Sequence, residues 1–176
     1  YGLLLICDEV QTGNGRTGSM YAFMQFGLTP DIVSTAKGLA GGLPMGATMF
    51  GERVENVLPA GTHGSTFGGN PVCANAAISV VSRIDDKLMD TVKANSKYLV
   101  EKFLKIKGVK SVSGLGYMLG IEIDGDAKAV ASKCIENGLL VLTAKTKIRL
   151  LPALNITREE IDNALEIFEK VLNELQ

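Results

Sequence analysis

Leu3-Leu4-Leu5-Ile6-Cys7-Asp8-Glu9 and its counterpart Ile32-Val33-Ser34-Thr35-Ala36-Lys37 are the stretches that decide how this chain folds. Each is a short run of apolar and small residues that ends on a charged side chain. Continuous runs of this kind, without polar alternation, read as strands buried on both faces, and such strands belong to parallel sheets. A third run, Ala47-Thr48-Met49-Phe50, follows the glycine-rich Gly38-Leu39-Ala40-Gly41-Gly42 and Pro44. The connection is short, which favours a hairpin with the preceding strand over a helical crossover. Asp8 and Lys37 each close a predicted strand at its carboxyl end, where open α/β sheets bind their ligands. An ion pair or a pair of solvated loop residues would occupy the same positions, and position alone does not choose between these readings.

Working outward, Asn70-Pro71 marks a helix start, with Asn as the cap and Pro in the first turn, and the helix is expected to run to about Ile84. A second helix is predicted from about Leu88 to Ile106, with Val92, Leu99, Phe103 and Ile106 near helical spacing and Gly108 closing it. Beyond it, Val109 to Ile123 reads as two strands around Gly114-Leu115-Gly116, and Ala127 to Asn137 as a helix ended by Gly138. Leu139 to Leu142 and Ile148 to Leu151 read as further strands. Thr157-Arg158-Glu159-Glu160 is a capping box that opens a last helix, with Ile161, Leu165, Phe168 and Leu172 along one face. A domain boundary is expected inside or at the end of the Leu88 helix, near residue 105, giving a first domain of residues 1–105 and a second of 106–176. No internal repeat or low-complexity stretch is visible.

Composition narrows the function classes. Hydrophobic residues make up 46% of the 176 and charged residues 21%, which excludes a disordered or fibrous chain. No apolar run approaches the roughly 20 residues of a membrane-spanning helix. The net charge of −1 and the lack of any lysine or arginine block leave no electrostatic footprint for nucleic acid or an anionic membrane, so small molecules or copies of the same chain are the expected partners. Cys7, Cys73 and Cys134 form no C-x-x-C pair and no even disulfide framework, and read as buried thiols of a reducing cytosol. With His63 as the single histidine, a His-based zinc site or a Ser-His-Asp triad has almost no material. The chain opens at Tyr1 and enters an apolar strand directly, without the features of a signal peptide. That beginning raises the expectation of a segment upstream, without which the three strands would leave an unpaired sheet edge that invites self-association.

Four motifs carry a resemblance. Asp8-Glu9-Val10-Gln11-Thr12-Gly13, Ser34-Thr35-Ala36-Lys37-Gly38, Gly61-Thr62-His63-Gly64-Ser65-Thr66-Phe67-Gly68-Gly69-Asn70-Pro71 and Ile148-Arg149-Leu150-Leu151-Pro152-Ala153-Leu154 stand in the order in which they occur in class III (ornithine-type) aminotransferases, over nearly the full chain. Within that family the wording around Thr66 and the compact C-terminal segment look most like the acetylornithine members. The resemblance implies the C-terminal portion of a fold-type I PLP-dependent transferase: an α/β arrangement with part of a large, mainly parallel-sheet domain followed by a small α+β domain. It implies transfer of the amino group of N2-acetyl-L-ornithine to 2-oxoglutarate through pyridoxamine phosphate, in arginine biosynthesis, by a cytoplasmic homodimer. Ornithine or 4-aminobutyrate is the alternative amine donor.

Site roles follow from the same resemblance. Lys37 would bind pyridoxal 5'-phosphate (PLP) as a Schiff base and, once displaced by the substrate amine, shuttle a proton as a free amine. Asp8 would pair with the protonated pyridine nitrogen and so make the ring an electron sink. Val10 would pack on the ring face and Gln11 would bond the phenolic oxygen. Glu9 is carried with the segment, and a structural role suits it equally. Thr66 would donate to the cofactor phosphate from the neighbouring subunit, and Ser65 would touch substrate. Arg149 would clamp the substrate carboxylate in a bidentate pair, a role its apolar neighbours favour over that of an ordinary exposed arginine.

Two readings compete. Gly13-Asn14-Gly15-Arg16-Thr17-Gly18 satisfies the G-x-G-x-x-G pattern of dinucleotide binding, which would make the chain an NAD-type dehydrogenase. Against it, Asp8 to Thr12 intervene between strand and glycines, and Asp31 precedes its strand where an acidic residue should close one. The other reading is a folded, dimerising but inactive fragment, because the glycine-threonine phosphate turn, the stacking aromatic and the distal-substrate arginine that the family carries upstream are not found here.

Overall fold

The structure is a computed structural model that describes residues 1–175. They form two compact units, Tyr1–Met89 and a second from Asp90 onward. The division falls within the helix Asp86–Phe103. The reason is packing: Val92, Leu99 and Phe103 of that helix all belong to the core of the second unit.

In the first unit, β1 (Ile6–Asp8) pairs in parallel with β2 (Ile32–Thr35), in the register Ile6↔Ile32, Cys7↔Val33, Asp8↔Ser34. β3 (Ala47–Phe50) returns antiparallel on β2, so the predicted hairpin forms and the sheet order is β1-β2-β3. Asp31 ties the sheet together at the start of β2. Its amide donates to Leu5 O at 2.8 Å, its Oδ2 accepts from Leu5 N at 2.8 Å, and both carboxylate oxygens accept from Arg53 at 3.1 Å. One expectation fails here. The first strand is not buried on both faces: Leu3, Leu4, Leu5 and Ile6 are 79%, 49%, 39% and 63% exposed. β1 is an edge strand with a pairing partner on one side only among the described residues, so its apolar side chains have little to pack against. Helix α1 (Pro71–Val81) is capped as predicted, with Asn70 Oδ1 accepting from Val72 N at 3.0 Å and Cys73 N at 3.3 Å. Through Ala77 it buries Leu39 and Ala40, the small core of this unit.

The second unit has the larger core. Helix α2 (Asp86–Phe103) starts two residues before the predicted position, because Asp85 Oδ1 accepts from Leu88 N at 2.8 Å and caps it. Four antiparallel strands follow in the order β4-β5-β7-β6: β4 (Val109–Leu115), β5 (Met118–Ile123), β6 (Leu142–Ala144) and β7 (Lys147–Leu150). Gly114 is obligatory in β4. Its φ is +133°, and a Cβ there would stand 2.0 Å from Met118 O. β6 lies later than the predicted Leu139 to Leu142, since the two-residue turn at Lys145-Thr146 sets pairing from the hairpin end outward, Ala144↔Lys147 to Leu142↔Arg149. Helix α3 (Ala127–Glu136) is capped by Asp126, and α4 (Arg158–Leu175) completes the layer. Leu119, Ile121 and Ile123 on one face of β5 meet Val92, Leu99, Phe103, Phe168 and Leu172 from the helices. Phe103 and Phe168 pack edge to face at 5.1 Å. Of the three cysteines, Cys134 alone is fully buried, and burial raises its thiol to about 11; Cys7 and Cys73 are half-buried.

The capping box of α4 forms in both directions: Thr157 N donates to Glu160 Oε2 at 2.7 Å and Glu160 N to Thr157 Oγ1 at 3.2 Å. Accepting the Thr157 amide and hydroxyl holds the Glu160 carboxyl below the ordinary glutamate value of 4.5. A depressed folded-state value contributes stability above the unfolded value, and that contribution is lost as pH falls through the folded one. Glu160→Gln is therefore expected to lower the urea midpoint at about pH 7 and to leave it close to that of the unsubstituted protein at about pH 3. Equal differences at both pH values would remove the charged cap from the account.

Candidate active site

The parallel pairing of β1 with β2 brings the two charged strand ends together. Asp8 stands opposite Ser34, and the ladder continues one step further, with Glu9 N donating to Ser34 O at 2.8 Å. Lys37 follows three residues beyond Ser34. Neighbouring strands lie about 4.8 Å apart, so Asp8 and the approach to Lys37 share one end of one sheet. Both side chains are exposed. Asp8 uses Oδ1 to accept from Val10 N at 3.0 Å and turns the chain away from the sheet. Lys37 opens a short 3-10 turn, Lys37–Ala40, with a left-handed φ of +48°. Val10 and Gln11 are partly buried in the turn that follows Asp8.

Beneath these exposed groups lies a buried polar layer. Glu9 is 3% exposed; its Oε1 accepts from Phe23 N at 2.8 Å and its Oε2 from the Thr12 hydroxyl. Both oxygens are committed to the loop between β1 and β2, the structural role that the sequence left open for it. Asn14 is buried at φ +56°, and its Nδ2 donates to Thr35 Oγ1 and to Ala36 O, each at 3.2 Å. Its Oδ1 is buried without a hydrogen-bond partner among the described residues. An unsatisfied buried acceptor costs about 1–3 kcal/mol, a cost that an apolar side chain would not incur. Burial pushes the Tyr21 hydroxyl up, while a hydrogen bond with Thr35 opposes the shift. The sequence did not single out Asn14, Thr35 and Tyr21 as members of this layer. One signal was present: an asparagine between two glycines favours the left-handed conformation found at Asn14.

The Gly13–Gly18 loop does not build a dinucleotide site. Its glycines form successive turns, Arg16 N to Gly13 O at 3.3 Å and Gly18 N to Gly15 O at 3.0 Å, and no helix opens on them. Asp31, the acidic residue nearest to the required place, is spent on Leu5 and Arg53. The dehydrogenase reading is thereby overturned.

Ser65 and Thr66 are exposed on the loop before α1. Ser65 lines a cleft with Met45, Phe67 and Cys73, in which neither Asp8 nor Lys37 takes part. Arg149 belongs to the second unit. It is half-buried in β7 opposite Gly120 and Leu142, and it lines an apolar cavity of about 520 Å³ with Phe103, Leu140, Leu151 and Ile161. Among the described residues no group of three or more His, Cys, Asp or Glu side chains is placed to hold a metal ion.

An exposed carboxylate and an exposed primary amine on adjacent strand ends, with an apolar Val10 and an amide Gln11 beside them, suit an aromatic aldehyde that carries a basic ring nitrogen. The family of class-III aminotransferases matches residues 1–172, and the chain belongs to it. This is a family of PLP-dependent transaminases. Among its relatives, the acetylornithine aminotransferase of Haemophilus ducreyi is 46% identical over 175 residues, which covers 98% of this chain and 44% of the relative. That of Clostridium acetobutylicum is 45% identical over 174 residues, or 95% of this chain and 45% of the relative. The crystal structure of acetylornithine aminotransferase from Elizabethkingia anophelis superposes with a TM-score of 0.90 at 33% identity, covering 98% of this chain and 46% of that one. Ornithine aminotransferase from Plasmodium yoelii gives 0.90 at 32% identity, covering 100% and 49%. The chain thus spans about half the length of the relatives it matches.

The geometry makes Glu9 a support of the loop. Glu9→Ala strands the Phe23 amide and the Thr12 hydroxyl, and is expected to cost about 2 kcal/mol of stability in a denaturant titration. A loss below about 0.5 kcal/mol would show that the loop finds other acceptors.

Proposed function

We propose that this chain is the C-terminal part of a PLP-dependent aminotransferase that moves the amino group of N2-acetylornithine to 2-oxoglutarate, and that residues 1–105 and 106–176 contribute to its large and small domains respectively. The observation that carries the reading is the parallel register that sets Asp8 and Lys37 at the same end of neighbouring strands. The acetylornithine assignment draws on the relatives, eight of which are acetylornithine aminotransferases at 39–46% identity.

The residues divide the work. Lys37 is the covalent attachment point for the cofactor, and its Nζ, once released, takes and returns the proton at the carbon that bears the migrating amine. Asp8, with Oδ2 meeting no protein donor among the described residues, holds a protonated ring nitrogen by charge and hydrogen bond. Val10 supplies an apolar face and Gln11 an amide donor beside it. Bound there, PLP supplies an electron sink for the negative charge that builds up at the reacting carbon. Ser65 and Thr66 serve substrate and phosphate. Their loop is exposed and its cleft is lined by neither Asp8 nor Lys37, and we assign it to the site of a second copy, which makes the working form a homodimer with shared sites. Arg149 offers a forked guanidinium for a substrate carboxylate. No helix among the described residues is long and apolar enough to cross a membrane; the placement in the cytoplasm draws on the family resemblance and on the three free cysteines.

In the intact protein, Lys37→Ala is expected to abolish turnover of acetylornithine with 2-oxoglutarate while leaving the far-ultraviolet circular dichroism unchanged. Normal turnover by that variant would end the proposal. Ornithine or 4-aminobutyrate as the preferred amine donor, measured by kcat/KM, would redirect the substrate assignment and leave the chemistry of Lys37 standing.

A further inference from the structure

Lys37 adopts a left-handed backbone, with φ at +48°. Asparagine and aspartate tolerate that region through short local hydrogen bonds, but lysine has no such means, so its surroundings must hold it there. The peptide that enters Lys37 is held at its carbonyl: Ala36 O accepts from Leu39 N at 3.1 Å and from Asn14 Nδ2 at 3.2 Å. The plane of that peptide fixes the direction in which Lys37 leaves β2. The same Asn14 amide donates to Thr35 Oγ1 at 3.2 Å, and Asn14 Cβ lies 3.9 Å from the point where a Cβ on Gly38 would stand. One buried side chain therefore spans residues 35 to 38. Its orientation is fixed as well, because a carbonyl oxygen can only accept, so Nδ2 must face Ala36. That orientation leaves Asn14 Oδ1 buried and unpaired. A residue chosen for packing alone would not carry that orphaned oxygen.

We propose that Asn14 is the positioning residue of Lys37: by bonding Thr35 and Ala36 from beneath the sheet end, it sets the direction of the lysine amine toward the cofactor. The inference rests on the reading of Lys37 as the attachment point. It gives the loop between β1 and β2 a task in the reaction beyond closing the sheet.

The test uses the intact protein freed of cofactor. Asn14→Gly keeps the left-handed backbone and removes both donated bonds. Two quantities are measured: the rate of covalent PLP capture, and the labelling of Lys37 by an amine-specific reagent relative to the exposed Lys128, mapped by peptide mass. Loss of the clamp is expected to slow capture about tenfold and to change the labelling ratio severalfold, more than a loss of packing alone would. Capture and labelling both within about twofold of the unsubstituted protein would overturn the proposal, whatever happens to the thermal midpoint. Should Asn14→Gly fail to fold, Asn14→Asp decides by the same two readings, since it keeps the size of the side chain and loses the donor. Lys37→Ala runs beside them. Covalent capture that persists in that variant overturns the Lys37 reading and this inference together, whereas capture lost there but intact in Asn14→Gly overturns the positioning role alone.

Discussion

The parallel register of β1 on β2 governs where Asp8 and Lys37 fall, and Asp31 is what pins it. Two hydrogen bonds join Asp31 to Leu5, one through the backbone and one through the carboxylate, and Arg53 closes the arrangement from the turn after β3. The Arg53 side chain is 56% exposed, so solvent screens the ion pair and its contribution is mainly geometric. A slip of one residue would exchange the faces of β1 and set Asp8 opposite a different backbone partner. The Asp8 side chain would then project from the opposite face of the sheet end. Register here is a functional property before it is a stabilising one, since β1 gains little from burial.

The site has two layers with opposite characters. Asp8 and Lys37 are exposed. Glu9, Asn14 and Thr35 lie buried underneath with the half-buried Tyr21 beside them, and they bond the turns that carry the upper pair. Low local dielectric strengthens such bonds and makes any gap in them costly. The gap at Asn14 Oδ1 is therefore informative: stability alone does not account for this residue, whereas the need to hold Lys37 in an unfavourable backbone conformation does.

Much of this was legible in the sequence, and the reason differs from element to element. The Asn70-Pro71 and Thr157-Glu160 caps formed as read because a cap is a local hydrogen-bonding pattern that needs no distant partner. The β2–β3 hairpin followed from a connection too short for anything else. Burial of β1 was misread, because an apolar run records the tendency to be covered and not the presence of a cover. The start of β6 moved because a tight turn dictates pairing more strongly than hydrophobicity does. Asp8 and Lys37 were singled out from strand ends and motif wording, and the structure sets them at one end of the sheet. Asn14 was not, since its importance lies in contacts with residues 35 and 36, more than twenty positions away, and its glycine-rich surroundings suggested a different cofactor.

The account stands or falls on Lys37 as the residue that takes up the cofactor. Borohydride reduction of the PLP-loaded intact protein, with its absorption recorded before and after and the fixed label located by peptide mass mapping, tests this most directly. A band above ~400 nm that disappears on reduction, with the label on Lys37 alone, is the predicted result. A label on any other lysine, or no fixed label in a folded protein that turns over its substrates, would contradict it.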